Sequence, residues 1–546
     1  MSAVLFHGGR VHVKAGASAE ALLARDGRVV AVGRAADLAK DAGRAEKVDL
    51  RGGLMVPGWG DAHVHFVWWA QQMRRIDVSE TASVDEALAK IDAYARTLPE
   101  GRWILGGRFD KNRWGRWPNA GELDRVSHGR PAALRRRDGH SRWLNSRALE
   151  SAGIRAGTAV PDPVAVLREA QLTGPRAPFA GAGAGGVIEV DARGEPTGIL
   201  KENANALVDR ILPQPDADER YEMAAAGQRE AWKRGVTAIL DLDNFAGTIP
   251  LEAFERMRGR GELGIRVHVG LPFARADEAI ALGLRSGFGD EWLRIGPLKI
   301  FTDGALGSQT AALEEPYEGT DDRGILTIEP ERLNGVVARA AAAGIAVAIH
   351  AIGDRAVHVA LDAIEPTRTT APQLRQRLEH IQLVRKDDLG RFGALGIVAS
   401  MQPIHATSDR DLADRYWGPE RTVRSYPWRT LAQRGAVLAF GSDAPVEPID
   451  PLLGIHAAVA RMRPGDSGPW HPEQALTLDE ALAGYSSGFA YGVGREREAG
   501  TLEPGKVCDA TVVETDLASV PPVEWPGFRV TATVTDGTVR FADGIA

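Results

Sequence analysis

Cysteine is almost absent from this sequence, which holds a single residue of that type, Cys508, among 546. One cysteine excludes an internal disulfide framework and any zinc site built from several thiolates, and it is typical of a reducing compartment. The N-terminus also lacks the basic segment followed by an apolar run that marks a secretory signal peptide. These features together predict a cytoplasmic protein.

Long apolar runs and a strong excess of charge are also missing. No window approaches about 18 uninterrupted apolar residues, so the sequence predicts a soluble chain without a membrane-spanning helix. The formal net charge of -7 is mild for this length and gives no reason to expect nucleic acid or an anionic membrane as a partner. The expected partner is a small-molecule substrate, and assembly into a homo-oligomer stays open.

The remaining composition is that of an ordinary globular protein, with 44% apolar and 25% charged residues. Its length predicts two or three domains. Both ends of the chain consist of short strand patterns broken by Asp-Gly and Gly-Gly turns, over residues 1–57 and again over residues 485–546. Two β-rich ends around a different middle predict one small β-sandwich that both termini build.

The middle of the chain, residues 226–484, alternates helical stretches with short apolar strands. Repeated helix–strand units predict parallel strands that are buried on both faces. Seven strands can be counted from Val236 onward, and "LMVPGWGDAHVHF" adds one at the start, with residues 58–73 as the first barrel unit. Eight such strands close a (β/α)8 barrel of the TIM type, so the predicted fold class is α/β.

Residues 74–225 interrupt this predicted barrel between its first and second strands and are rich in Arg, Trp and Gly. An insertion that follows the C-terminal end of a barrel strand lies on the face where barrel enzymes place their active sites. We therefore expect the insertion to be a lid or a substrate-selecting domain rather than a spacer.

The first barrel strand carries His63 and His65 with one valine between them. Residues i and i+2 of a strand point to the same face, about 6.5–7 Å apart along the chain, so both imidazoles can reach one metal ion. The chain has 13 histidines, and roughly a third of such a pair is expected from composition by chance. The motif therefore needs support from the rest of the chain.

That support comes from the other predicted strands. Lys299 lies within an otherwise apolar strand, while His350, His380 and Asp443 lie near the C-terminal ends of later strands. In a barrel these ends surround one face, so the side chains are predicted to converge there. One alternative stays open for Asp443, which in "GSDAPV" could merely cap a following turn.

The same motifs resemble those of a known superfamily. "PGWGDAHVH" looks like the opening motif of the metal-dependent amidohydrolases. "LKIFTDGALGSQTAAL", "IHAIGDRAV", "LEHIQL" and "GSDAPVEPIDPLLGIHAAV" are similar to the branch that contains the N-substituted formamide deformylases, and "DGHSRWLNSRAL" resembles a motif of that branch's inserted domain. The resemblance covers nearly the whole chain. It departs from the usual pattern at Trp59, where the superfamily mostly has phenylalanine.

The resemblance implies a divalent metal centre with one or two ions, zinc being the expected metal. It implies that His63, His65 and Asp443 hold the more buried ion, and that His350 and His380 hold the second. Imidazole and carboxylate are natural ligands of zinc, so the chemistry of these side chains agrees with the implied roles.

The resemblance also implies that Lys299 bridges the two ions as a carbamate formed with CO2. Alternatively, Lys299 is an unmodified buried amine that pairs with Asp303 or another acid beside a single ion. Asp443 would take a proton from the attacking water and pass it to the leaving nitrogen. Asp61, two residues before His63, is expected to be a structural acid rather than a ligand.

The implied reaction is cleavage by a metal-bound hydroxide of a carbon–nitrogen bond other than a peptide bond, in a small N-formyl, N-acyl or cyclic amide. The same centre acting on an ester, lactone or phosphoester stays open, because an activated hydroxide does not specify its leaving group. A non-catalytic assembly protein is a third hypothesis, which the complete ligand set disfavours. Trp69, His140 and His405 are candidate substrate contacts, each with an alternative as a core or surface residue.

Overall fold

The computed structural model describes residues 3–136, 141–160, 186–243, 250–307 and 309–545. The strands of these residues are, in chain order, β1 (Ala3–His7), β2 (Arg10–Lys14), β3 (Ala17–Ala19), β4 (Ala21–Arg25), β5 (Arg28–Gly33), β6 (Glu46–Asp49), β7 (Leu54–Pro57), β8 (Trp59–Val64), β9 (Ile76–Asp77), β10 (Ile104–Phe109), β11 (Ala132–Arg136), β12 (Ser141–Leu144), β13 (Val187–Val190), β14 (Pro196–Lys201), β15 (Val236–Asp241), β16 (Arg266–Pro272), β17 (Leu293–Phe301), β18 (Val347–Ala351), β19 (Arg377–His380), β20 (Val398–Met401), β21 (Val437–Phe440), β22 (Ala510–Val513), β23 (Val530–Thr535) and β24 (Thr538–Ala542).

The α-helices of the same described ranges are, in chain order, α1 (Ala35–Asp41), α2 (Phe66–Met73), α3 (Val84–Thr97), α4 (Lys111–Trp114), α5 (Ala120–Asp124), α6 (Ser146–Ser151), α7 (Ala206–Asp209), α8 (Ala217–Lys233), α9 (Leu251–Gly259), α10 (Ala276–Ala281), α11 (Pro330–Ala342), α12 (Asp354–Ile364), α13 (Thr367–Thr370), α14 (Arg391–Leu395), α15 (Pro403–Ser408), α16 (Arg410–Trp417), α17 (Pro419–Thr422), α18 (Trp428–Gln433), α19 (Pro451–Ala460), α20 (Leu478–Tyr485) and α21 (Ser487–Gly492). None of the helices in these ranges is both long and apolar enough to cross a membrane.

The largest sheet is the predicted barrel. It has eight strands in the order β21-β20-β19-β18-β17-β16-β15-β8, and every neighbouring pair in this order is parallel. The two end strands meet through the backbone, because the N–H of Asp443 donates to the His63 carbonyl at 2.7 Å and the N–H of His65 donates to the Ala444 carbonyl at 2.9 Å. The prediction of a (β/α)8 barrel with β8 as its first strand is confirmed, and the C-terminal strand ends surround one face.

Strands from both chain termini build the predicted sandwich. One sheet has the order β5-β4-β1-β6, and the other, β24-β23-β22-β7-β2-β3, joins three C-terminal strands to three N-terminal ones. Apolar side chains from both ends share one core, among them Phe6, Met55 and Val512. The sandwich is therefore confirmed as a joint product of the two termini.

The chain passes from the sandwich to the barrel at Gly58. The single strand that we predicted over residues 54–66 is two strands, β7 in the sandwich and β8 in the barrel. A Cβ on Gly58 would lie 2.4 Å from Thr237 Oγ1, so a side chain there has no room. The apolar pattern continues through the junction because both strands are buried, which is why the pattern did not reveal the break.

The chain between β8 and β15 forms a separate mixed sheet, in the order β13-β14-β12-β11-β10-β9. Strands β9, β10 and β11 are parallel, whereas β12 runs antiparallel to both β11 and β14. Helix α8 lies at the end of this segment, and its Tyr221 and Ala224 pack in one apolar cluster with Val64 and Val236 of the barrel. The boundary that we predicted at residue 225 thus falls inside a helix that packs on the barrel.

Local sequence signals explain where these elements begin and end. Helix α8 starts with a reciprocal cap, in which the Asp216 side chain accepts from the Glu219 N–H at 2.8 Å and Glu219 accepts from the Asp216 N–H at 3.1 Å. After the helix, Gly235 has φ +77°, a left-handed conformation that glycine adopts without penalty. This stop places Val236 at the start of the second barrel strand.

Candidate metal centre

Six side chains that the sequence singled out lie at the C-terminal end of the barrel. Each one is buried, with less than a tenth of its surface exposed: His63, His65, Lys299, His350, His380 and Asp443. They come from β8 and the residue after it, from β17, β18 and β19, and from the loop that follows β21. The structure therefore brings all six to one region, as the strand-end argument predicted.

The tightest group contains His63, His65 and Asp443. Oδ1 of Asp443 lies 3.5 Å from His63 Nε2 and 3.3 Å from His65 Nε2. The ligand atoms of the three residues all lie within 4.8 Å of one another. Two imidazole nitrogens and one carboxylate oxygen at such separations form a ligand set that zinc accepts.

Backbone geometry aims Asp443 at the two histidines. Its φ of +58° lies in the left-handed region, which is uncommon for a residue other than glycine. The hydrogen bond from its N–H to the His63 carbonyl holds this conformation. Just before it, a Cβ on Gly441 would lie 2.4 Å from the His63 nitrogen, so glycine permits the close approach of the two chain segments. Strained backbone that neighbouring contacts enforce is typical of functional sites.

A buried ionic relay fixes the orientation of His63. Its Nδ1 donates to Glu379 Oε2 at 2.7 Å, and Arg377 Nε donates to Glu379 Oε1 at 2.6 Å. Arg377 also donates through Nη2 to the Ala62 carbonyl at 2.7 Å and to Ser400 Oγ at 2.6 Å. Burial raises the pKa of Glu379, but the charge of Arg377 and the hydrogen bonds from His63 and Arg377 outweigh it and hold the pKa well below its usual range. An ionised Glu379 leaves the His63 Nε2 lone pair free for a metal.

Two histidines of the centre, His63 and His380, are neutral near neutral pH. Burial, with the positive charge of Lys299 nearby, lowers the pKa of His63 to about 4. Burial and the neighbouring His350 and His63 also hold the pKa of His380 well below its usual range. Neutral imidazole is the form that binds metal, so these side chains need not lose a proton before they ligate.

Two carboxylates at the end of β15 support His65 and the helix that follows it. Asp243 Oδ1 lies 3.6 Å from His65 Nδ1. Asp241 Oδ1 accepts from the Phe66 N–H at 3.2 Å and Asp243 Oδ2 accepts from the Trp68 N–H at 2.8 Å, which caps the first turn of α2. Burial raises the pKa of Asp241 to about 7, and burial together with Asp241 raises the pKa of Asp243 well above its usual range.

Asp61 holds the first strand to the loop that carries Asp443. Its Oδ1 accepts from the His63 and Ser442 backbone N–H groups at 3.1 and 3.0 Å, and its Oδ2 accepts from Ser442 Oγ at 2.5 Å. Burial raises its pKa to about 7. Its oxygens are thus occupied by hydrogen bonds, which agrees with the structural role expected from the sequence.

Lys299 reaches into the centre from β17. Its Nζ lies 3.4 Å from His63 Nε2 and 4.8 Å from the centre of the Phe301 ring. Burial lowers the pKa of this amine to about 8. No ion pair joins Lys299 to Asp303 in the described part of the chain, because the Asp303 carboxylate accepts instead from the backbone N–H groups of Ala312, Ile352 and Gly353.

His350 and His380 face each other with ring centres 4.6 Å apart. His380 Nδ1 donates to Gln402 Oε1 at 2.8 Å, which leaves its Nε2 for a ligand. His350 differs, because its Nε2 donates to the Gly304 carbonyl at 2.9 Å and lies 3.3 Å from Asp303 Oδ1. In this arrangement Nδ1 is the nitrogen of His350 that keeps a free lone pair.

His405, in the helix that follows the seventh strand, lies closer to the centre than the sequence predicted. A second group of ligand atoms within 4.8 Å of one another consists of His380, His405 and Asp443. His405 Nε2 lies 3.7 Å from Asp443 Oδ2 and has no hydrogen-bond partner in the described chain, while the Gln382 side chain contacts its Nδ1 at 3.4 Å. His405 lies on helix α15, and its imidazole stacks beside that of His380 with 6.0 Å between the ring centres.

The three predicted substrate contacts lie in different surroundings. His405 lies in the centre, as described above. Trp69 is partly buried and packs on the apolar cluster around Phe66, with 5.6 Å between their ring centres, and its contact with a substrate stays a prediction. The ring of its neighbour Trp68 lies 5.6 Å from that of His65 and lines an adjoining pocket. His140 lies outside the described residues.

Glu379, Arg377 and Asp243 are residues that sequence reasoning missed. All three are buried charged residues. Arg377 and Glu379 lie on β19 and Asp243 follows β15, and both strands have parallel neighbours on both sides. Charged residues are rarely buried without a partner, so "RLEH" and "LDLD" carried a usable signal in their i, i+2 spacing. The same spacing drew attention to His63 and His65.

Comparison with known proteins agrees with this geometry. The profile of the amidohydrolase family matches residues 46–541. The chain is 30% identical over 549 residues to a Bacillus subtilis protein named as the amidohydrolase YtcJ, with 98% of this chain and 99% of that protein covered. It is 28% identical over 544 residues to the N-substituted formamide deformylase of Arthrobacter pascens, with 96% of this chain and 95% of that protein covered.

A solved structure extends the likeness to the fold. An uncharacterised metal-dependent hydrolase from Pyrococcus horikoshii superposes on this chain with a TM-score of 0.76 and 26% sequence identity. The match covers 99% of this chain and 100% of that one, so it includes the sandwich, the barrel and the insertion together.

Proposed function

The chain belongs to the amidohydrolase family, and from that premise we propose that it is an enzyme that cleaves a carbon–nitrogen bond in a small N-formyl, N-acyl or cyclic amide. The observation that carries the proposal is the convergence of His63, His65 and Asp443 at the C-terminal face of the barrel. The likeness to a formamide deformylase over nearly its full length supports an amide rather than a peptide as the substrate.

The side chains present fit a divalent metal. His63 and His380 each donate one ring proton to a fixed acceptor, Glu379 and Gln402, so their second nitrogens are left as lone-pair donors. The unpartnered Nε2 of His405 adds a third buried imidazole that faces Asp443. These residues would hold a divalent ion, zinc in our proposal, which would acidify a water and polarise the scissile carbonyl.

Asp443 is the proposed proton carrier. Burial raises its pKa, but the nearby His63, His65 and His380 outweigh it and hold the pKa well below its usual range, so the side chain is a carboxylate at neutral pH. Its Oδ2 faces His405 while its Oδ1 faces the two histidines of β8. The carboxylate accepts the proton of the attacking water and returns it to the amide nitrogen as the carbon–nitrogen bond breaks.

We extend the proposal to a carbamate on Lys299. Its amine attacks CO2, a carbon–nitrogen bond forms, and the displaced proton leaves to solvent. A pKa lowered to about 8 makes neutral amine available near neutral pH. The carbamate would offer two oxygens beside His63, and His350 and His380 would be the further ligands of a second ion. The alternative is a single ion beside an unmodified Lys299, and metal counting separates the two.

The division of labour among the structural units belongs to the same proposal. We assign the barrel to catalysis, the mixed sheet between β8 and β15 to substrate selection, and the sandwich to support. Helix α2 begins directly after His65 and leads into that sheet, which places the inserted unit next to the metal ligands. The single buried Cys508 suits the reducing cytoplasm.

A metal-reconstitution assay tests the proposed function. Protein stripped by a chelator is reloaded with zinc and assayed on matched pairs of N-formyl or N-acyl amides and the corresponding esters. We expect zinc-dependent release of amine, lost in His65→Ala and kept in His358→Ala, a matched control whose histidine pairs with Asp388 at 3.1 Å away from the centre. Hydrolysis of esters alone would reject the amide proposal, and equal activity without metal would reject the metal role.

A further inference from the structure

A pocket of about 70 Å³, partly open to solvent, adjoins the metal centre. It lies between helix α2 and the mixed sheet of the insertion, and Trp68 and Asp243 form the wall nearest to His65. Three arginines line it: Arg75 after α2, Arg135 on β11 and Arg142 on β12. Neither the metal centre nor the proposed reaction as described so far uses these arginines.

The pocket has more positive charge than its own acids neutralise. Arg142 forms a buried ion pair with Asp209, and Asp243 is the other carboxylate in the lining, so three guanidinium groups face two carboxylates. Asp243 is itself directed at His65. In the described part of the chain, the Arg135 side chain has neither a hydrogen bond nor an ion pair.

The sheet register makes this arrangement unfavourable without a ligand. Arg135 and Arg142 are direct partners across the antiparallel β11–β12 pair, so two like charges stand opposite each other on one face. Like charges in such positions destabilise a sheet. Burial lowers the pKa of Arg135 to about 9 and that of Arg75 to about 10, and the charge of Arg142 lowers the pKa of both further.

An unsatisfied donor points to the same missing group. Arg142 Nε is buried and lacks a hydrogen-bond partner in the described chain. Arg142 is only 5% exposed, so solvent does not satisfy its Nε. Native proteins seldom leave buried polar atoms without partners, and an unpaired atom of this kind marks a place for a ligand or an ordered water.

We propose that this arginine pocket binds an anionic group of the substrate, a carboxylate or a phosphate, and so selects anionic amides for hydrolysis. The inference rests on the proposed function, because it assigns a substrate class to the same metal centre. Guanidinium groups match both anions with paired N–H donors. The wall that Trp68 and Asp243 share with His65 places the anion at one end of the substrate and the scissile bond at the other.

The first test measures anion binding without turnover. Inorganic phosphate and acetate are each titrated into the metal-free protein, and binding is measured by isothermal titration calorimetry. The wild type is compared with the pocket variants Arg135→Met and Arg75→Met. Arg136→Met is the control, since Arg136 lies on the same strand over the Trp117 ring and does not line the pocket. We expect binding of at least one anion, weakened about tenfold or more in both pocket variants and unchanged in the control. Equal binding by all four proteins overturns the inference.

Folding of the variants provides a second readout. Because Arg135→Met removes a charge opposite Arg142, the variant should be at least as stable to urea as the wild type when no anion is present. The wild type should gain stability on addition of phosphate or acetate, and Arg135→Met should gain less. The proposed pocket is contradicted if Arg135→Met is less stable than the wild type and still gains as much stability from the added anion.

The second test separates the pocket from the proposed reaction. The metal-loaded protein is assayed on N-acyl amides that carry a carboxylate, a phosphate or a neutral methyl ester at the far end. We expect kcat/KM for the favoured anionic substrate to fall about tenfold or more in Arg135→Met, while the neutral substrate is unaffected. Turnover of neutral amides with no effect of Arg135→Met on any substrate overturns the pocket alone. Anion binding without any hydrolysis overturns the proposed function alone.

Discussion

Glu379→Gln is the substitution that most directly tests how the proposed metal ligands are held in place. The carboxylate accepts from His63 on one side and from Arg377 on the other, at 2.7 and 2.6 Å. Glutamine keeps the size of the side chain and one acceptor oxygen. It removes the charge, and its NH2 group, a donor, faces either His63 or Arg377, which are donors as well.

Two magnitudes follow from this geometry. Arg377 and Glu379 have side chains only 1% and 0% exposed, so the substitution leaves a buried guanidinium without its ion partner. Breaking a buried pair in this way costs about 3–5 kcal/mol of folding stability. Loss of the acceptor that orients a metal-binding histidine lowers metal affinity about 10- to 100-fold, equivalent to about 1.4–2.8 kcal/mol.

Urea denaturation of the metal-free protein measures the first quantity, and zinc competition against a chromogenic chelator measures the second. The control is Glu314→Gln, in which the same change removes a partly exposed ion pair with Arg385 at 3.2 Å. An exposed pair of this kind contributes about 0–1 kcal/mol. The role of the relay would be refuted if the Glu379→Gln protein bound zinc as tightly as the wild type and had the same free energy of unfolding as the Glu314→Gln control.

Further predictions concern other residues of the centre and the pH. Lys299→Ala should lose one ion per chain and regain it in part with short carboxylic acids; full metal occupancy without them would reject the carbamate bridge. His405→Ala should lower kcat and alter its pH profile, since His405 faces the Asp443 carboxylate; a profile and rate equal to wild type would contradict this. The depressed pKa of Glu379 predicts stabilisation that is present above its unfolded value of 4.5 and is lost as pH falls below it, and urea denaturation of Glu379→Gln should show less of this loss. Cys508 should resist alkylation in the folded chain, because burial raises the pKa of its thiol; fast labelling by iodoacetamide under native conditions would contradict its burial.

Much of the barrel, and the positions of the proposed ligands in it, could be predicted because both depend on short-range patterns. The i, i+2 spacing of His63 and His65 sets their common direction on β8, and the alternation of helices and apolar strands sets the order of the barrel. Asp443 was predictable for the same reason, since the strand end "VLAFGSD" is apolar up to the loop. Its left-handed backbone, which aims the carboxylate, was not.

What could not be predicted depends on contacts between distant segments. Glu379 precedes His380 directly, and neighbouring residues of a regular strand point to opposite faces. His380 has φ +74°, which ends the strand and lets both side chains take part in the site. His405 and Asp443 meet only when the barrel closes. The sheet of the insertion pairs β12 with β14, whose partners Arg142 and Leu200 are far apart in sequence, and no periodic pattern specifies that pairing.

The inserted unit also shows why a motif can be located without its use being known. "RWLNSRAL" was recognisable, yet the significance of Arg142 depends on Arg135 across the strand pair and on Asp209 from helix α7. Only their juxtaposition reveals a pocket with surplus positive charge beside the metal centre.

The metal content of the purified chain tests the central claim most directly. Elemental analysis by mass spectrometry, on protein prepared without chelator or added metal, should find one or two divalent ions per chain in the wild type. Asp443→Ala should have reduced metal content and no amide hydrolysis, while His358→Ala should match the wild type. A wild-type chain that hydrolyses amides without stoichiometric metal, or an Asp443→Ala protein with full metal and full activity, would contradict the account.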